Sequence, residues 1–241
     1  MLVSRAMKKL FIALLLLVAV SAPAQDWAKQ RLAASTRHRE WVNVKNGVRT
    51  VSAFVVYPEV KGKAPAVVVI HEIFGMTDWV QLLADELAET GVIAIAPDLL
   101  SGMGAIADVG KAIRDLPPDQ ITGDLNAVAD YVSKFPAANG KVAVAGFCWG
   151  GTQSFRGPDV VDTIKAPVYG FYAGNDARIG ATVPKTQELM RAASKTYEIV
   201  TYDGAGHGFM RAGEAPDASE ANKKARDEAW TRWKSLLKKL Q

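Results

Sequence analysis

The stretch Gly146-Phe147-Cys148-Trp149-Gly150-Gly151, directly after the apolar run Val142 to Ala145, constrains the fold more than any other part of this chain. A buried strand that ends in Gly-x-nucleophile-x-Gly and runs into a helix forms a turn so tight that only glycine tolerates the neighbouring backbone positions. The central residue, Cys148, is the only cysteine of the chain, so it has no intramolecular disulfide partner and is a free thiol. The elbow sets its sulfur at a helix N-terminus, where unpaired N–H groups and the macrodipole favour a thiolate. The expectation is therefore an activated nucleophile with a depressed pKa, rather than a buried cysteine acting as a small hydrophobe.

The rest of the chain alternates strand-like and helix-like stretches. Residues 40 to 57 read as a hairpin turning at Asn46-Gly47, and Pro65 to Ile70 and Val92 to Ala96 as buried strands. Helical spacing runs from Thr77 to Thr90, ended by Gly91, and again over residues 117 to 135. Val168 to Tyr172 and Tyr197 to Tyr202 are further strands, with a helix over Pro184 to Ala193 between them and an amphipathic one over Ala218 to Leu240. This pattern predicts a mostly parallel α/β sheet flanked by helices, with catalytic groups on loops at the carboxyl ends of strands.

A thiol nucleophile needs a group that takes and returns a proton near neutral pH, and histidine does this. Of His38, His71 and His207, the last lies in the glycine-rich Asp203-Gly-Ala-Gly-His-Gly-Phe209 loop after the final strand, the place of the histidine in an α/β-hydrolase. Asp176, in Ala173-Gly-Asn-Asp-Ala-Arg178, supplies the third member in the order nucleophile, acid, histidine. The loop after the strand ending at Ile70 provides one oxyanion-hole N–H and the residue after the nucleophile the other, which assigns the backbones of Ile73 and Trp149. Glu72 would point toward the same pocket and hydrogen-bond the thiol, or else lie solvated in its loop. His71-Glu72 is no zinc motif, because residue 75 is glycine where a second histidine is needed.

These residues resemble the dienelactone hydrolase family. The resemblance rests on His-Glu-Ile-Phe-Gly at 71 to 75, Ala-Pro-Asp-Leu at 96 to 99, Gly-Phe-Cys-Trp-Gly-Gly at 146 to 151, Gly-Asn-Asp at 174 to 176 and His-Gly-Phe-Met-Arg at 207 to 211. It implies an α/β-hydrolase with a Cys148, Asp176, His207 triad, no metal and no cofactor, acting on lactones or small esters through an acyl-thioester. It further implies that Glu72 regulates or deprotonates the thiol and that Arg211 binds a substrate carboxylate.

Two departures stand out. The loop Leu100-Ser-Gly-Met-Gly104 carries no basic residue where family members that take dienelactone have a second arginine. Nucleophile and acid are only 28 positions apart, and a βαβ unit alone takes about 30 residues. One strand between the nucleophile and acid strands is thus expected to be missing. The acid strand should then pair directly with Val142 to Ala145, the alternative being a gap in the sheet. A catalytically impaired chain that binds a small acyl ligand is the competing functional reading.

At the start, Arg5, Lys8 and Lys9 precede the eleven-residue apolar run Leu10 to Val20, and Ala22-Pro-Ala24 makes a cleavage pattern before Gln25. Residues 1 to 24 read as a secretory signal, with Met1 or Met7 as the start, and residues 25 to 241 as one domain. This implies a periplasmic or secreted protein. The run is too short for a bilayer span, which needs about 20 residues. The signal carries three basic and no acidic residues, so its removal lowers the net charge from +4 to +1. That balance gives no electrostatic reason for nucleic acid or an anionic membrane as a partner. The expected partner is a small ester or lactone, met by a monomer.

Overall fold

The hairpin forms where Asn46-Gly47 places it. Strands β1 (Arg39–Asn46) and β2 (Arg49–Val56) pair antiparallel around Gly47, whose φ of 58° is a left-handed conformation that favours glycine. The computed structural model describes residues 25–155 and 160–241. The signal assigned to residues 1 to 24 lies outside the described residues.

Strand β3 (Ala64–Ile70) is buried at every residue, as is β4 (Ile93–Pro97). With β5 (Ala138–Gly146) they complete a five-stranded sheet in the order β1-β2-β4-β3-β5. The hairpin makes this sheet mixed, while β3 runs parallel to both β4 and β5. Alternation along the strands feeds two cores. Val67, Val69, Ala94 and Ala96 meet helix α2 (Asp78–Glu89) and the C-terminal helix Glu220–Leu237 on one face, whereas Ala66, Val68, Ile93 and Ile95 meet Val128 and Val132 of the helix Pro118–Ser133 on the other. Each such valine, leucine or isoleucine contributes about 1.5–3 kcal/mol by leaving water.

The acid strand does not slide in beside the nucleophile strand. Strand β6 (Val168–Ala173) pairs in parallel with β7 (Tyr197–Tyr202), from Val168↔Tyr197 to Ala173↔Tyr202, and the two form a separate sheet. Among the described residues no strand covers the outer edge of β5, so the shortened segment leaves a gap. The C-terminal helix explains why. Arg232 donates to Gly170 O at 2.9 Å and Glu198 O at 3.1 Å, and its guanidinium lies 4.3 Å from the centre of the Phe171 ring. The β6-β7 pair is therefore held by that helix rather than by β5. The exposed edge shows in β5 itself, where Val144 is 51% exposed while every residue of β3 is buried.

Aromatic side chains span the gap. Phe147 stands edge-on to Trp79 of α2 at 5.3 Å and packs on Trp233 of the C-terminal helix at 5.8 Å. Phe155 stacks on Tyr197 of β7 at 5.4 Å. Each such pair adds about 0.5–1.5 kcal/mol beyond its buried area.

The helix α1 (Asp26–Ala34), absent from the sequence reading, is joined to this layer by contacts of arginines with carboxyl groups. Arg31 and Arg226 both reach Glu86 of α2, and Arg226 also reaches Glu214, which accepts the Trp79 indole N–H at 3.0 Å. Burial, then the Glu214 carboxylate beside it, push Glu86 from an ordinary 4.5 up to about 8, against the pull of the two arginines. The folded state thus holds a proton that the unfolded chain releases. The stability this contributes is complete below the unfolded value and is lost as pH rises through about 8. We expect the thermal midpoint to fall between about pH 5 and pH 8, and Glu86→Gln to flatten that decline. An equally steep decline in the variant would locate the titration elsewhere.

Candidate active site

Two clashes that glycine avoids shape the elbow. A Cβ on Gly146 would lie 2.0 Å from the Gly150 carbonyl oxygen, and one on Gly150 would lie 2.4 Å from that of Ile70. Cys148 sits between them at φ 53° and ψ −115°, capping the short helix Trp149–Ser154. A non-glycine residue in such a conformation stores about 1–3 kcal/mol, which the surrounding packing must hold. The strain lifts Sγ clear of the sheet, where other loops reach it.

His207 and Asp176 are among those groups. His207 Nε2 lies 3.0 Å from Cys148 Sγ, and its Nδ1 lies 2.5 Å from Asp176 Oδ2. The in-register pairing of β6 with β7 brings the acid and histidine loops out side by side, and the loops are then joined directly. Gly174 N donates to Tyr202 O, Asn175 N to Ala205 O, and Asn175 Nδ2 to Gly204 O. Asn222 of the C-terminal helix accepts from Gly206 N at 2.8 Å, which fixes the histidine loop from behind. The gap separates β5 from β6 without separating the three side chains.

The backbone N–H groups of Trp149 and Ile73, the two assigned oxyanion-hole donors, both act on the Cys148 thiol and pull its pKa down. His71 does not join them. It is fully buried, with Nδ1 against Glu72 O at 2.8 Å and its ring stacked on Trp149 at 5.6 Å, and burial lowers its pKa so that the imidazole is neutral. His38 is exposed on the surface beside Tyr57.

Glu72 is buried rather than solvated, and it is paired with Arg211 rather than hydrogen-bonded to the thiol: Arg211 Nε donates to Oε2 at 2.7 Å. Arg211 also lies 5.3 Å from the centre of the Phe74 ring. Burial raises the Glu72 pKa, and the charge and hydrogen bond of Arg211 oppose it.

The expectation of a depressed thiol pKa is not met. Burial pushes Cys148 up, the Glu72 carboxylate adds to this, and the N–H groups of Trp149 and Ile73 with the Arg178 charge pull it down without prevailing. At rest Cys148 is a thiol. Asp176 goes the other way: burial would raise it, but the His207 hydrogen bond, the Ile179 N–H and the charges of His207 and Arg178 hold it below its ordinary value. Arg178, which acts on both groups, went unnoticed in the sequence. Its signal was its place two residues beyond Asp176, inside the acid loop.

The family model described as the dienelactone hydrolase family matches residues 51–159 and 156–241. The two matches meet where the chain is too short for a second crossover. The chain is 30% identical over 208 residues to a Salmonella typhi protein assigned as a carboxymethylenebutenolidase, covering 71% of this chain and 76% of that one. A crystal structure assigned as a dienelactone hydrolase from Klebsiella pneumoniae superposes with a TM-score of 0.73 at 25% identity, covering 84% of this chain and 99% of that one. The fold is also that of a dienelactone hydrolase-like promiscuous phosphotriesterase from metagenomic libraries, with a TM-score of 0.74 at 22% identity over 86% of this chain and 99% of that one.

A thiol whose pKa is raised becomes thiolate only as pH climbs past the free value of about 8.5. The iodoacetamide rate at Cys148 should therefore stay low at neutral pH and climb in the alkaline range. Glu72→Gln, which removes a negative charge and frees Arg211, should move the climb to lower pH. A wild-type rate already at its plateau near pH 7 would contradict a neutral resting thiol.

Proposed function

The chain belongs to the dienelactone hydrolase family, and we propose that it hydrolyses lactones or small carboxylic esters with Cys148 as nucleophile, through an acyl-thioester intermediate. The observation that supports this most is the unbroken chain of contacts from Asp176 through His207 to Cys148. It favours hydrolysis over the reading of an impaired chain that only binds an acyl ligand.

The chemistry follows from which groups are charged at rest. As Sγ attacks the substrate carbonyl, its proton passes to His207 Nε2, so thiolate character develops only in the transition state. The ionised Asp176 stabilises the imidazolium through Nδ1 and holds the ring's orientation. The N–H groups of Ile73 and Trp149 take the developing oxyanion, each such donor being worth about 10²–10³ in turnover. Collapse of the tetrahedral intermediate expels the alkoxide, which recovers the proton from Nε2 and leaves the acyl group on sulfur. Water, deprotonated by the same nitrogen, then releases the acid.

Arg211 is the guanidinium placed to take a substrate carboxylate, and Glu72 is the group such an anion would displace. Displacement would free a carboxylate beside the thiol and couple binding to activation. With no basic residue in Leu100 to Gly104, a second anchor for the anion is missing there, so neutral esters should be accepted as well.

Turnover of a panel of activated esters and lactones by variants tests these roles. His207→Ala should lower kcat by about 10²–10⁴ with KM little changed, because proton transfer acts in the transition state. A variant that keeps kcat and loses only affinity would make His207 a binding residue.

A further inference from the structure

Gln25 follows the Ala22-Pro-Ala24 pattern directly, and its side chain is unusually placed. The residue is only 7% exposed. Its Oε1 accepts the Trp79 N–H at 2.7 Å, in the first turn of α2, whose own N-cap Thr77 makes no side-chain cap. Its main-chain oxygen accepts the N–H groups of Ala28 and Lys29, so it also begins α1. Its Nε2 is buried with no hydrogen-bond partner. A cap at two helix N-termini needs an acceptor, and a carboxylate there would serve better than an amide. Buried amides almost always find partners, so the idle Nε2 calls for another explanation.

We infer that removal of residues 1 to 24 leaves Gln25 as the N-terminal residue, and that the folded chain closes it to pyroglutamate. The α-amine attacks the side-chain Cδ, a C–N bond forms, the Cδ–Nε2 bond breaks, and Nε2 leaves as ammonia carrying one proton from the amine. The departing nitrogen is the atom that has no partner in the fold. The Trp79 N–H holds Oε1, where negative charge develops as the tetrahedral carbon forms, and so acts as an oxyanion donor. The amine itself lies at the positive end of α1, which disfavours the ammonium and favours the nucleophilic free amine. Closure removes that unfavourable charge and keeps a carbonyl acceptor at the chain end. The inference is independent of the hydrolase reading.

The test is the mass of the N-terminal peptide from full-length chain expressed with its leader, exported, and recovered at successive times after a pulse of synthesis. The expected result is a chain that begins at position 25 and is lighter by one ammonia, while Gln25→Asn begins at the same place with its full mass. The free peptide Gln-Asp-Trp-Ala-Lys should lose ammonia about tenfold more slowly than the folded chain, or slower still, because it lacks the Trp79 donor. A chain that begins at Gln25 and keeps its ammonia, a chain that begins elsewhere, or a free peptide that cyclises as fast as the folded chain would each overturn the proposal.

Discussion

The grip of the C-terminal helix on the β6-β7 pair is the interaction on which the rest depends. Strand pairing normally carries position from one strand of a sheet to the next, and here that transfer stops at the outer edge of β5. Arg232 replaces it by binding carbonyls of both β6 and β7 while its guanidinium covers Phe171, and Asn222 holds the histidine loop. Phe147, one residue before Cys148, packs on Trp233 of that helix. The same helix therefore touches the strand pair that carries acid and histidine and the elbow that carries the thiol. The contacts among Asp176, His207 and Cys148 are held by packing through a third element, and as the proposed triad they would need placement to within about 1 Å.

That arrangement leaves electrostatics to decide the chemistry. Burial keeps Cys148 and His71 neutral, whereas Asp176 stays ionised through His207, Ile179 N–H and Arg178. In the mechanism proposed above, charge separation is deferred until a substrate is present, when the N–H groups of Ile73 and Trp149 would face the oxygen that becomes negative. A thiol at rest also resists oxidation better than a thiolate does, since susceptibility follows thiolate character. The Glu72–Arg211 pair lies against this centre, so a ligand that engages the guanidinium changes the field at the sulfur.

Much of this was legible in the residues. The elbow glycines announce themselves because no other residue fits against Gly150 O and Ile70 O, and the order Cys148, Asp176, His207 follows from loops at strand ends. The 28-residue spacing led to the expectation of a missing strand, and among the described residues none lies between β5 and β6, but the slide of the acid strand onto Val142 to Ala145 expected from it is wrong: a gap is left instead. That outcome depends on Arg232 and Phe171, which are distant in sequence from the shortened segment. Helix α1 escaped notice because only Ala28 in it is buried, leaving little apolar periodicity to read. The thiol's pKa was misjudged for a similar reason: the helix N-terminus is local and visible, while burial and the Glu72 charge are tertiary.

The central claim is that Cys148, His207 and Asp176 act as one unit across the gap in the sheet. The most direct measurement is acid-quenched mass spectrometry of the Cys148 peptide during the first turnovers of an activated ester. The account predicts an acyl group on Cys148 that forms and decays at rates compatible with turnover, and that forms far more slowly in Asp176→Asn. Turnover by the wild type with no adduct at Cys148, or an adduct whose formation is indifferent to Asp176, would contradict it.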